Sequence, residues 1–454
     1  MAIRRSTRPI AVGLAATVVA AVLAAGTAPG AGAPPSGAST GPSLSPSAAA
    51  RASKGRVHYA PPAARTLAWE GVTPAPPEGP PDYRFLSSPD FMNADLADLS
   101  RLRNWRSSMP NSWNSSYAST IDTILDTFTA EAPQDVLVAG DLVNGHWGGH
   151  DSTGIFGPTR TQQQRVTATK RAADFYFSRW RRLFDARDLP VYAAVGDHDL
   201  GDNPWRGGHD PEQARFKRQH QGVFKSAFFR KVVKPSHVTD RPAGPAHDTA
   251  YATYLSPEVL LVTVNVFQRT RDNVIPKLDR AQLAWLDRTL AAGERRGTDW
   301  IVVQGHVPVL KPVRTHGSSA IYYQGGAKSP FWRTMAKHHV DLYLHGEVHE
   351  VSVKRADGIT QVSHGGTVGM PSPRGYGATN YLLGEVFGDT MWLRDNLFTP
   401  TMVDYSHQLW QLGGRSHRPV AHKRISGVAP AIGHLVLTSD NQLVYSDGAL
   451  IPLS

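Results

Sequence analysis

The sequence predicts an α/β sandwich spanning residues 66–400, behind an export signal and an unfolded spacer. Three observations predict it. Apolar runs of strand length alternate with helical stretches from Tyr83 to about Asn396. Four of these runs end in a polar cluster of Asp, His or Glu, and a fifth is followed by His306. Ahead of them, residues 34–65 are rich in Pro, Ala, Ser and Gly, a composition that cannot bury enough apolar surface to fold. Strands alternating with helices build layered α/β folds, in which ligands sit beyond the carboxyl ends of strands.

From the N-terminus, Arg4, Arg5 and Arg8 precede an apolar run over 10–25, followed by small residues up to Ala33. These are the parts of an export signal, so residues 1–33 are expected to be a signal peptide and the protein to be secreted. An uncleaved anchor is the alternative, because Pro34 directly follows Ala31-Gly32-Ala33 and would hinder cleavage there. The run is Ala-rich and short for a full span, so no stable membrane span is expected after cleavage. The Arg4-Arg5 pair hints at twin-arginine export, although its surroundings match that pattern poorly. The chain has no Cys, which in an exported protein excludes disulfides, a lipid-bearing cysteine and any thiolate metal site. Its 48 Lys and Arg against 38 Asp and Glu give a net charge of +10. The basic residues form no long block, so no specific nucleic-acid recognition is expected. Nothing in the sequence indicates an oligomeric state.

Strands are predicted at 83–86, 136–139, 191–195, 260–266, 300–303 and 340–344. The clearest helix covers 279–296, with Asp279 and Gln282 spaced as a capping box and Leu283, Leu286 and Leu290 on one face. Residues 401–454 form a C-terminal β-rich extension, either a small appended unit or the last strands of the sheet. Within it, 435–437 and 443–445 predict a hairpin turning at Ser439-Asp440-Asn441.

The polar clusters carry the chemistry. Singly, an Asp after a strand is more often a helix cap, and a lone His a satisfied polar residue. Their order and shared position change that reading. Gly140-Asp141, Gly196-Asp197-His198-Asp199, Gly305-His306 and His345-Gly346-Glu347-Val348-His349 each follow an apolar strand, and Asp90 follows the first. Glycine lets the backbone turn sharply and aim the next side chain into a site.

Over about residues 83–370 this series resembles the calcineurin-like metallophosphoesterase family, whose pattern is Asp-x-His, Gly-Asp, Gly-Asn-His-Asp/Glu, a lone His and Gly-His-x-His. The resemblance implies a four-layer α/β/β/α sandwich with mixed sheets. Three positions depart from the pattern: Asp90-Phe91-Met92 replaces Asp-x-His, Asp197 stands for Asn, and Glu347 for the first His of the last motif. By resemblance, Asp141 bridges two metals. Asp197, His306 and Glu347 complete one site, and Asp90 and His349 hold the other, with Asn93 able to join it. One or two divalent ions are implied, and the oxygen-rich donors favour Mn, Fe, Mg or Ca over Zn. One ion is expected to bind tightly and the other weakly. Metal-activated water would attack a phosphate mono- or diester, with His198 assisting at the leaving group and Asp199 orienting His198.

Asn144 stands where purple acid phosphatases carry a Tyr ligand, so a charge-transfer iron site is not expected. His146, Arg206 and His364 are candidate substrate contacts, as are Trp147 and Trp205; His146–Arg165 and 201–210 read as long loops beside the site. The competing reading is a catalytically weak or inactive extracellular protein that binds metal or polymer on the same fold.

Overall fold

The computed structural model describes residues 74–90, 98–107, 109, 115–143, 145, 154–201, 211–233, 238, 240–313, 321–365, 380–402 and 423–454. The expected signal peptide and spacer lie outside them. Among the described residues no helix is long and apolar enough to cross a membrane.

Two mixed sheets form the interior. The first orders its strands β15-β14-β13-β12-β1-β2-β3. Here β1 is Tyr83–Ser87, β2 Asp135–Ala139, β3 Val191–Ala194, β12 Asn380–Phe387, β13 Thr390–Met402, β14 Lys423–Thr438 and β15 Leu443–Ser446. The second runs β10-β11-β9-β8-β5-β4, from β4 (Tyr251–Tyr254), β5 (Val259–Thr263), β8 (Trp300–Gln304), β9 (Leu342–His345), β10 (Ser352–Ala356) and β11 (Ile359–Ser363). A small hairpin, β6 (Phe267–Arg269) with β7 (Val274–Pro276), stands apart. Strands β1, β2 and β3 are mutually parallel, as are β5, β8, β9 and β11.

Alternation along these strands makes four layers. Phe85, Leu137, Leu261, Val302, Leu342 and Leu344 face a core shared by the two sheets. Their neighbours Leu86, Val136, Val138, Leu260, Val262, Ile301, Val303 and Tyr343 face the opposite way, into the helices. A strand buried on both faces reads as a continuous apolar run rather than an alternating one, which is why these segments are legible in the sequence. Helices α1 (Ser115–Ala130) and α2 (Gln162–Asp185) supply Ile121, Ile124, Leu125, Phe128, Tyr176, Trp180 and Phe184 to this packing. α5 (Arg280–Arg296) and α6 (Pro330–Lys337) supply Trp285, Leu286, Leu290, Phe331 and Met335. Two short helices, α3 (Pro211–Gln219) and α4 (Gln221–Phe228), lie between β3 and β4 in the chain.

Three expectations change. The stretch His146–Arg165, expected as a loop, is helical from Gln162 onward, where the Thr161–Gln164 capping box starts α2. Asp279 does cap α5, accepting from the Gln282 backbone N–H at 2.9 Å, but there is no capping box. The Gln282 side chain instead pairs with both backbone groups of Asn265, at 2.8 and 2.9 Å. The boundary expected at 400/401 falls inside β13. β14 pairs along β13 and β15 along β14, with Leu437 opposite Leu443, so the hairpin at the C-terminus belongs to the first sheet. Apolar residues on both faces of these strands need the sheet and its neighbours to cover them.

Candidate metal centre

The parallel strands of both sheets deliver their carboxyl ends to one place. Asp90, Asp141, Asp197, His306, Glu347 and His349 all lie there, and all are buried. His306 is at the centre. Its Nε2 is 3.3 Å from Asp141 Oδ2, 3.4 Å from Asp197 Oδ1, 3.5 Å from Glu347 Oε2 and 3.9 Å from Asp90 Oδ1. To one side, His349 Nε2 is 3.6 Å from Asp90 Oδ1. To the other, His198 Nε2 is 3.9 Å from Asp141 Oδ2.

The backbone is bent to achieve this. Asp90, Asp141, Glu347 and His349 all adopt positive φ, between 48° and 72°. Non-glycine residues enter that region at a cost, and clusters of them mark sites where structure is held for function. The motif glycines are needed mainly for space. A Cβ on Gly196 would stand 2.0 Å from Asp141 Oδ1, and one on Gly346 2.6 Å from Asp90 Oδ2. Gly140 adds a conformational reason, with φ of 96° and only 2.4 Å between its would-be Cβ and His306 Nδ1.

Hydrogen bonds orient the donors. His306 Nδ1 is 2.8 Å from the Ala139 carbonyl oxygen. It must donate there, which leaves Nε2 as the atom presented to the carboxylates. Glu347 is held by the Ile321 N–H, 3.1 Å from Oε1. Its own N–H donates to Asp90 Oδ1 at 3.2 Å, and the His198 N–H donates to Asp141 Oδ1 at 3.1 Å.

Burial and mutual repulsion shape the charges. Asp197 is pushed up to about 6 by burial and by the charge of Asp141. Burial alone would lower His306, but Asp141, Asp197 and Glu347 outweigh it and hold the ring well above its usual range. His349 is raised in the same way, chiefly by Asp90.

A divalent cation fits this donor set. Asp90 Oδ2, Asp197 Oδ1 and His306 Nε2 are buried without a hydrogen-bond partner, which is costly unless something cationic completes them. Three overlapping groups bring ligand atoms within 4.8 Å of one another: Asp90, Asp141 and His306; Asp141, Asp197 and His198; and Asp197, His306 and Glu347.

The sequence model of the calcineurin-like phosphoesterases matches residues 97–351. That is more than half of the chain.

The chain belongs to the calcineurin-like phosphoesterase family.

No curated protein matches it. Among solved structures, a dimetal phosphatase from Danio rerio is 12% identical, with 69% of this chain and 96% of that one covered and a TM-score of 0.45. PhoD is 13% identical, with 82% and 73% covered and a TM-score of 0.47.

Family membership makes the departures at individual positions informative. Asp199 does not serve the ring of His198. Its buried carboxylate accepts the backbone N–H groups of Gly196 at 2.8 Å, Leu142 at 3.1 Å and Val143 at 3.2 Å. It therefore ties the two phosphoesterase loops that carry Asp141 and Asp197 to each other. Burial and the charge of Asp141 push this carboxyl up to about 8. His364 is fully buried, its Nε2 3.0 Å from Ser87 Oγ, so it lies inside the protein rather than in position to touch a substrate. Burial lowers both His364 and its neighbour His345 to about 3. Met92, Asn93, Asn144, His146, Trp147, Trp205 and Arg206 lie outside the described residues. Sequence reasoning missed Ala139 and Ile321, because both act through the backbone, where residue type leaves no signal.

Proposed function

We propose that the protein is an exported phosphoesterase that hydrolyses phosphate mono- or diesters at this centre. The observation that carries the reading is the convergence of Asp90, Asp141, Asp197 and Glu347 around His306. Divalent cations bound there supply Lewis acidity toward the phosphoryl oxygen and acidify water.

The chain's own residues do the remainder. Asp141 belongs to two of the three donor groups, with Asp90 and His306 in one and Asp197 and His198 in the other, and is suited to bridge two cations; the family pattern would assign Asp197, His306 and Glu347 to one cation and Asp90 and His349 to the other. Three carboxylates and one imidazole make the first position the tighter one, and the oxygen-rich set favours Mn, Fe, Mg or Ca over Zn. His198 differs from the rest. Its side chain is 22% exposed, open to a substrate, and its backbone is pinned by Asp141. It donates a proton to the leaving-group oxygen. Asp199 positions it indirectly, by fixing the loop. Export rests on residues 1–33, which have the composition of a signal peptide.

An inactive metal-binding protein would keep its ligands without needing His198. His198→Ala is expected to retain bound metal while turnover falls by about 10²–10⁴. A variant with undiminished turnover would contradict the role given to His198.

A further inference from the structure

One strand further along the second sheet lies another cavity. β5 and β8 are parallel, with Thr263 opposite Gln304. Asn265 and His306 are therefore each two residues past the ends of neighbouring strands. The cavity, of about 80 Å³, is lined by Lys225, Asn265, Phe267, Arg269, Asp279 and Gln282, among others. Such a volume holds a few waters or one oxyanion group. Phe267 is shared with the metal centre, its ring centroid 6.0 Å from that of His306.

Most of the polar atoms in this wall are already used. Gln282 is paired with the Asn265 backbone. Asn265 donates to Thr249 Oγ1 at 2.7 Å and accepts the Phe267 N–H at 2.9 Å. Asp279 Oδ1 caps α5. Lys225 is different. It is only 8% exposed, and among the described residues its side chain makes one hydrogen bond, from Nζ to the Pro245 carbonyl oxygen at 3.0 Å. An ammonium has three donors, so two remain, and among the described residues no carboxylate lies within ion-pair distance. Asp279 and Asp248 act on it only at longer range, and burial holds it down to about 8. Arg269, exposed at the rim, adds a second cation. A buried ammonium whose counter-charges, Asp279 and Asp248, lie beyond ion-pair distance is only partly compensated, and an oxyanion in the cavity would complete it.

We propose that this cavity is an anion subsite, holding a carboxylate or second phosphoryl group that the substrate carries beside its scissile ester. The substrate assignment rests on the phosphoesterase reading; anion binding by the cavity does not.

The two parts are tested separately. Sulfate is titrated calorimetrically into metal-stripped protein, whose carboxylate centre repels anions. One site is expected, weakened about tenfold or more in Lys225→Met and about threefold in Arg269→Gln, an exposed change that leaves the core intact. Unchanged sulfate binding in folded Lys225→Met, or in Arg269→Gln should Lys225→Met not fold, would overturn the site. Metal-loaded protein is then given three-carbon phosphate monoesters ending in hydroxyl, carboxylate or phosphate. Lys225→Met is expected to raise KM for the two anionic esters about tenfold and leave the hydroxyl ester within about twofold. An equal effect on all three would overturn the substrate role. If no ester turns over in the unaltered protein, the phosphoesterase reading fails while the sulfate result still decides the site.

Discussion

At the scale of single residues, the centre is built as much by what is absent as by what is present. Gly196 leaves room for the Asp141 carboxylate, which a Cβ would approach to 2.0 Å. Gly196→Ala should therefore fold but lose about a hundredfold in turnover, because Asp141 can no longer serve both sides of the centre. Metal analysis beside a steady-state assay checks this; full activity with full metal would refute it. The donors themselves were legible because each follows an apolar strand beside a glycine. What those donors lean on was not. Asp199 sits in a motif that suggests an interaction with its neighbour His198, yet its oxygens take three backbone N–H groups from two loops. Sequence spacing cannot show a bond across 57 residues.

At the scale of elements, α5 shows how a local rule is half obeyed. Asp279 caps the helix as its position predicts, but Gln282 is drawn into tertiary structure, where Asn265 offers a buried N–H and C=O that nothing else satisfies. The two residues should accordingly differ in what they contribute. Asp279→Ala is expected to cost about 1 kcal/mol, the usual worth of an N-cap. Gln282→Met should cost more, about 2–4 kcal/mol, because it strands two buried backbone groups. Urea denaturation of both variants checks the order, and equal costs would contradict it. Thr161 and Gln164, by contrast, form a complete capping box at the start of α2. It lies within His146–Arg165, the stretch read as a long loop, whose last four residues form the first turn of α2 instead.

At the scale of the whole molecule, the two-sided apolar strands made the layered fold readable. Between the two readings of residues 401–454, an appended unit or the last strands of the sheet, the sequence cannot choose, because a short apolar strand reads the same in either. Only strand pairing reveals that β14 and β15 extend the first sheet. Folding also buries carboxyls outside the metal centre. Asp135, hydrogen-bonded by Tyr83 at 2.8 Å, is raised from 3.8 to about 7, mainly by burial. Below about pH 4 both folded and unfolded chains hold its proton. Between that pH and about 7 only the unfolded chain releases it, so stability falls as pH rises through this window. Asp135→Asn should remove that dependence and stabilise the protein at pH 8 relative to pH 4 by on the order of 2–4 kcal/mol. Denaturation midpoints at the two pH values measure it; an unchanged pH dependence would count against the burial argument. The central claim is chemical, and one experiment addresses it directly. Metal-stripped protein is assayed on matched chromogenic phosphate mono- and diesters while Mn, Fe, Zn, Mg and Ca are titrated in separately. The account predicts turnover restored by an oxygen-favouring cation and absent from Asp141→Asn. Folded protein that binds a cation and hydrolyses neither ester would contradict it, and would leave a binding protein on a phosphoesterase fold.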